Sequence, residues 1–197
     1  MRTIFSLGLA LLLSACASPV PKPVDDPQAT WQQRSQWLEG VSHWDIEGRI
    51  AIRSYDQAVN ANLHWKQDGD VFAIEITGPL GQGGVSLNGA PGMARLVSGE
   101  VNEIATDAQE LLFTHTGYVV PIEALKYWIR GLPQPNSGSQ HRLDGQGRLA
   151  QLSHEHWKVR FRGYEDYESH SLPNKVFVEN HQLSVRIVID KWSLPHS

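Results

Sequence analysis

The chain has 197 residues, enough for one domain with a substantial core, and a formal net charge of −4. The acidic balance and the absence of any basic run argue against a nucleic-acid partner. Seven tryptophans are many for this length, and tryptophan suits cores, walls of apolar cavities and membrane interfaces, where the indole N–H can stay wet.

At the start of the chain Arg2 precedes an apolar run from Ile4 to Leu13. A bilayer span needs roughly 20 apolar residues, so this shorter run reads as the core of a secretory signal. Leu13-Ser14-Ala15-Cys16 follows at once, and Cys16 is the only cysteine, so it has no intramolecular disulfide partner. A lone cysteine directly after Leu-Ser-Ala resembles the lipobox of bacterial lipoproteins. That resemblance implies that the Cys16 thiol is diacylated, residues 1–15 are cut off and the new amine is acylated. The competing interpretation is an ordinary secretory signal with a chance cysteine. Removal of residues 1–15 would leave 182 residues and, because Arg2 is the only charge removed, a net charge of −5.

Pro19, Pro21, Pro23 and Pro27 punctuate the next stretch, which carries almost no large apolar groups. Residues 16–27 are therefore expected to form the acylated cysteine and an extended, semi-rigid tether. Residues 28–197 are expected to form the folded domain. Within it, Thr30 to Gly40 reads as a helix, with Trp31, Arg34, Trp37, Leu38 and Val41 at near-helical spacing and Gly40 near its end.

Strands follow. Trp44 to Arg53 alternates with apolar or small even positions, and alternation resumes on odd positions across Gln57 to Lys66. Asp68-Gly69 signals a turn into Val71–Thr77. After Gly78-Pro79-Leu80-Gly81 come short strands at Val85–Asn88, Met93–Val97 and Val101–Ala105, joined too tightly for crossover helices and hence antiparallel. Thr106 and Gln109 match a capping box for a second helix ending at Gly117, and Pro121 opens a third that ends at Gly131. Strands return at His141–Asp144, Arg148–His154, Trp157–Tyr164, Lys175–Asn180 and Leu183–Trp192, with Glu165, Asp166 and Glu168 read as a solvated acidic loop. About eleven strands with one apolar face and three helices call for a strongly curved antiparallel sheet, with the helices across its open side. Periodicity does not decide whether the interior is filled or open to a ligand.

Catalytic constellations are weak. There is no Gly-x-Ser-x-Gly elbow, and acylation of Cys16 would leave no cysteine nucleophile. His154-Glu155-His156 places two imidazoles on one strand face but lacks His-Glu-x-x-His spacing, and Gly81-Gln82-Gly83-Gly84 opens no helix. The expectation is a protein that is not an enzyme and holds no metal or cofactor beyond covalent lipid on Cys16. Leu80 stands out, because Pro79 and Gly81 force a turn there, and a leucine at a turn tip is exposed unless something packs over it.

Taken together, the lipobox, Trp44 with Gly48-Arg49, Gly78-Pro79-Leu80-Gly81, Pro121 with Leu125 and Tyr127-Trp128-Ile129-Arg130-Gly131-Leu132-Pro133, Trp157 with Tyr164, Leu172-Pro173 and Trp192 resemble the LolB family. The likeness covers roughly residues 30–192. It implies a mainly β fold, an open half-barrel with an α-helical lid and a hydrophobic cavity for acyl chains. It also implies a periplasmic LolA-like carrier as donor, acylated lipoproteins as cargo, and the inner leaflet of the outer membrane as acceptor, with the protein a lipid-anchored monomer facing the periplasm. Ala17 agrees, since the retention signal known in enteric bacteria is an aspartate at that position. On this reading the inward parities supply the cavity residues Trp44, Ile46, Ile50, Ile52, Leu63, Trp65, Phe72, Ile74 and Ile76, with Leu125, Trp128 and Ile129 from the lid, and Leu80 serves membrane delivery. Two rivals stand beside it: an envelope scaffold with a packed interior, and a lipid-modifying enzyme.

Overall fold

Alternation of apolar and polar side chains along β1 (His43–Arg53) and β2 (Ala58–Asp68) gives each strand one buried and one wet face, and that alternation sets the architecture. The structure, a computed structural model, describes residues 22–81, 83–167 and 170–195, without the side chain at position 80. The signal segment, Cys16 and most of the tether lie outside the described residues. Among those described, eleven strands form a single antiparallel sheet in the order β6-β5-β4-β3-β2-β1-β11-β10-β9-β8-β7. The remaining strands are β3 (Val71–Thr77), β4 (Gly84–Ala90), β5 (Met93–Ser98), β6 (Val101–Ala105), β7 (Gln140–Leu143), β8 (Leu149–His154), β9 (Trp157–Tyr167), β10 (His170–Glu179) and β11 (Ser184–Ser193).

Two meanders therefore meet at β1, which pairs with β2 on one side and with β11 on the other. The edges of the sheet are β6 and β7, neighbours in the chain but farthest apart in the sheet. The segment joining them has to cross from one edge to the other. It does so through α2 (Ala108–Thr116) and α3 (Ile122–Trp128), the helices expected to cover the open side.

The helix ends explain where expectation and structure differ. α1 spans Pro27–Gly40 and so takes in the last residue assigned to the tether. Asp26 makes the difference: its Oδ1 accepts from the Gln28 and Ala29 amides at 2.9 Å each, and Pro27 sits at the first helical position, where its missing N–H costs nothing. α2 is capped by Asp107 rather than Thr106, with Asp107 Oδ1 accepting from the Glu110 amide at 2.8 Å. Gly117 ends α2 with φ of 74°, as a left-handed terminator should.

β9 and β10 are longer than their hydrophobic patterns suggest. Glu165 and Asp166 are strand residues, paired with Leu172 and Ser171, and not a loop. Aromatic contacts support the extension: Trp37 of α1 stacks on His170 at 3.8 Å, and Trp192 Nε1 donates to the Pro173 carbonyl at 2.9 Å. Glu155 and His156 form the tight turn between β8 and β9, with Glu155 at φ of 49°, so His154 and His156 do not share a strand face.

Two buried arginines fix α1 to the rest. Arg34 donates to the Ser171 hydroxyl at 3.2 Å and to the Ser171 carbonyl. Its guanidinium lies 5.3 Å from the centre of Tyr164, whose other neighbour, Arg148, lies at 4.5 Å. Burial pushes the Tyr164 phenol above its ordinary value, so it stays neutral and donates to the Leu149 carbonyl at 2.7 Å. Arg130, just beyond α3, donates to the carbonyls of Leu38 and Val41 at the end of α1. Burial lowers the pKa of both Arg34 and Arg130, a tendency their hydrogen bonds oppose by holding the charged form.

The junction strand carries one tight contact. Register shifts between Glu47 and Gly48, and a Cβ on Gly48 would stand 2.1 Å from the Val188 carbonyl oxygen. Gly48→Ala is therefore expected to destabilise the fold by about 1–3 kcal/mol, the cost of overpacking where backbone must give way. Urea unfolding against the parent chain checks this, and an unchanged midpoint would show that the β1/β11 junction is more yielding than its geometry.

Candidate functional site: an apolar cavity beneath the helices

Inward-facing side chains of the sheet do not fill the space under α2 and α3. They leave a cavity of about 520 Å³, within the range of small-molecule sites. Its floor is built by alternate residues of successive strands: Ile50 and Ile52 from β1, Val59, Leu63 and Trp65 from β2, Ile74 and Ile76 from β3, Val85 and Leu87 from β4. The other meander contributes Trp157, Val178, Val185 and Ile187, with Leu183 just before β11. The roof consists of Leu112, His115 and Thr116 from α2, Tyr118, Val120 and Pro121 from the connection, and Ile122 and Leu125 from α3.

Polar groups gather in one sector. Ser54, Asp56 and Gln57 of the β1–β2 loop line the cavity there together with His115, Thr116 and Tyr118. The Tyr118 hydroxyl reaches Asp56 Oδ1 at 3.5 Å, and Ser54 Oγ donates to Asp56 Oδ1 at 3.0 Å. His115 Nε2 is held 2.9 Å from Glu103 Oε2. Tyr55 of the β1–β2 loop, Phe113 of α2 and Val119 of the connection are exposed apolar or aromatic neighbours in the chain of these lining residues. The arrangement is a greasy pocket with its few hydrogen-bonded polar groups confined to one sector, suited to holding alkyl chains by desolvation.

Seven of the twelve residues expected to line a cavity do so: Ile50, Ile52, Leu63, Trp65, Ile74, Ile76 and Leu125. The other five are core and do not belong to the lining. Trp44 packs at a tilt on Trp65 at 5.1 Å and edgewise against Trp192 at 5.7 Å. Ile46 lies opposite Trp65 and Trp192 and is 1% exposed. Phe72 lies over Gly89, its cross-strand partner, where a Cβ would meet the ring at 2.2 Å. Trp128 packs on His154 and Trp157, and Ile129 is buried beside it.

The residues not anticipated, such as Val85, Leu87, Trp157, Val178, Val185 and Ile187, belong to strands whose alternation is equally plain in the sequence. Leu80 falls in a single 3₁₀ turn, Pro79–Gly81, closed by the Gly81 amide donating to the Gly78 carbonyl at 3.0 Å with Gly81 at φ of 73°. Its side chain, like Cys16, lies outside the described residues.

Known proteins bear on this geometry. The family model described as "Outer membrane lipoprotein LolB" matches residues 42–192. Among curated relatives, an "Outer-membrane lipoprotein LolB" of Nitrosococcus oceani is 40% identical, covering 98% of this chain and 96% of its own. Proteins of the same name from Alkalilimnicola ehrlichii and Stutzerimonas stutzeri are 38% and 32% identical, covering 94% and 98% of this chain and 93% and 95% of their own. Among solved structures, a LolA superfamily protein from Nitrosomonas europaea shares the fold with a TM-score of 0.51 at 8% identity, covering 88% of this chain and 96% of its own.

Two of the lining tryptophans give the cavity an optical readout. A saturating long-chain fatty acid is expected to change the intrinsic fluorescence, and the combined Trp65→Phe and Trp157→Phe variant should lose most of that change. Leu125→Glu, at a half-buried lid position, is expected to weaken binding at least tenfold, about 1.4 kcal/mol. Titration of all three proteins decides it, and undiminished affinity in the glutamate variant would place the acyl chain elsewhere.

Proposed function

The chain belongs to the LolB family of outer-membrane lipoproteins, and from that premise we propose that its cavity receives the acyl chains of lipoprotein cargo and releases them to the bilayer. It is the outer-membrane lipoprotein receptor of the lipoprotein-localisation pathway and works with a LolA-like carrier. No helix among the described residues is long and apolar enough to cross a membrane. The observation that carries the proposal is the cavity itself, walled by both meanders and roofed by the helices that bridge the sheet edges. An envelope scaffold would have no use for such a hollow.

The mechanism is a passage down affinities. Each exposed methylene costs about 0.8 kcal/mol in water, so a triacylated cargo must pass from one apolar site to the next. A cavity that binds chains more tightly than the carrier, and less tightly than a bilayer, drives transfer in one direction. A tenfold preference at each step needs only about 1.4 kcal/mol. No bond is made or broken in this scheme, and the residues of the lining are chosen for apolar area.

Three features outside the cavity complete the reading. Residues 1–15 act as a lipoprotein signal, acylated Cys16 anchors the monomer, and residues 16–27 tether it within reach of its acceptor. The Pro79–Gly81 turn serves delivery, with Leu80 entering the interface. A single leucine there gains roughly 1–2 kcal/mol, enough for a transient contact and too little to hold the domain down.

Mixing the receptor with a carrier–lipoprotein complex, then adding liposomes, separates the steps. Leu80→Glu is expected to keep its fold and its capture of cargo while passing that cargo poorly to liposomes. Loss of folding, or unimpaired passage, would remove the turn from the mechanism. Cys16→Ser, expressed in the native host, is expected to yield precursor without lipid. Mass spectrometry showing lipid at position 16 would overturn the anchor.

A further inference from the structure

The outer face of the three central strands carries a feature the cavity does not explain. Arg49 stands between Asn62 of β2 and Val188 of β11, and in the adjacent row Ala51 stands between Asn60 and Arg186. The small Ala51 side chain leaves a hollow between the two arginines, and Pro79 of the 3₁₀ turn borders it. The hollow measures about 320 Å³. Its polar side chains are two guanidinium forks and two carboxamides, a set rich in N–H donors.

The charges are arranged for an anion. Arg49 is paired with Asp190, at 2.8 Å and 3.1 Å, but both groups are at least half exposed, so the pair is weak and open to exchange. Arg186 has no carboxylate partner among the described residues, and its guanidinium lies 5.6 Å from the Phe177 ring. Lys175, exposed on β10, pairs in register with Val188 and extends the basic face. The carboxylates of the neighbouring rows are engaged, Glu47 with Lys191 and Asp45 with His64.

We propose that this groove docks the phosphodiester headgroup of an anionic phospholipid at the bilayer surface, with Arg49 and Arg186 as the phosphate donors. Guanidinium groups bind phosphate through paired N–H bonds, and the asparagine amides can add to them. The occupant is a bilayer rather than a soluble anion because the groove is continuous with the turn that carries Leu80. The inference rests on the delivery role proposed for that turn. On a chain with a net charge of −4, an anionic surface repels most of the molecule, so a basic patch selects which face approaches. Docking orients the domain and places the turn at the interface.

The test uses the full chain from its native host, reconstituted into phosphatidylethanolamine vesicles with and without phosphatidylglycerol. A cysteine replacing Ser184, exposed on the same face, carries a fluorophore, and a nitroxide on lipid headgroups quenches it. Quenching is expected with phosphatidylglycerol and should fall in high salt. Each cation near an anionic surface contributes about fivefold, so Arg49→Gln with Arg186→Gln should lower the docked fraction by roughly 25-fold. Arg49→Lys with Arg186→Lys should retain most of it. Equal quenching in the glutamine variant, or equal quenching with and without phosphatidylglycerol, overturns the proposal. Cargo capture from the carrier, measured on the same preparations, is expected to be unchanged by either pair. Failure of the parent chain to capture cargo would count against the function, whereas the quenching comparison speaks to the groove alone.

Discussion

The molecule depends on one strand having two partners. β1 pairs with β2, its neighbour in sequence, and with β11, some 140 residues away, and this second pairing joins two meanders into one sheet. It is also the contact with the greatest loop-closure cost, because its ends are separated by nearly the whole domain. Everything else follows from it. With β1 and β11 at the centre, β6 and β7 fall at the margins, and the segment between them has to cross the concave side. The roof over the cavity is thus a requirement of connectivity, supplied here by helices with apolar faces. The glycine at the bulge and the backbone passing over it show how closely the two meanders meet.

Much of this was legible in the residues. Alternation located all eleven strands and assigned the inner face of β1, β2 and β3 correctly, because a half-buried strand has a strict period of two. What periodicity cannot carry is depth. Trp44, Ile46 and Phe72 share the inward face with Ile50, Leu63 and Ile74, yet the first three are covered by other side chains or by a glycine partner, while the last three meet open space. That distinction depends on what stands opposite, and a strand's own sequence does not contain it. The same holds for Trp128, which packs on His154 and Trp157 of the β8–β9 hairpin, and for Ile129, buried beside it, neither of which lines the hollow.

The ends of elements differ from the sequence expectation for a more local reason. Asp26 and Asp107 each cap a helix with a carboxylate, whereas the capping-box pattern points to the adjacent Thr106 for α2 and the apolar spacing of α1 begins only near Thr30. Caps are decided by which oxygen reaches the free amides, so a choice between adjacent candidates turns on backbone geometry. The extension of β9 and β10 is similar. A run containing Glu165, Asp166 and Pro173 reads as loop, but Trp37 and Trp192 buttress it from the two sides.

Arg130 has a consequence for how the hollow is reached. By holding the last turn of α1 through Leu38 and Val41, it binds the segment after α3 to a second helix, and Trp128, Ile129 and Leu132 around it are essentially inaccessible. α2 has no such root: Leu111 is its only fully buried residue, and Phe113 and Val119 beyond it face water. The two halves of the cover therefore differ greatly in the work needed to displace them. The loosely seated half is the one beside Asp56 and Tyr118, and the opposite half is a fixed jamb.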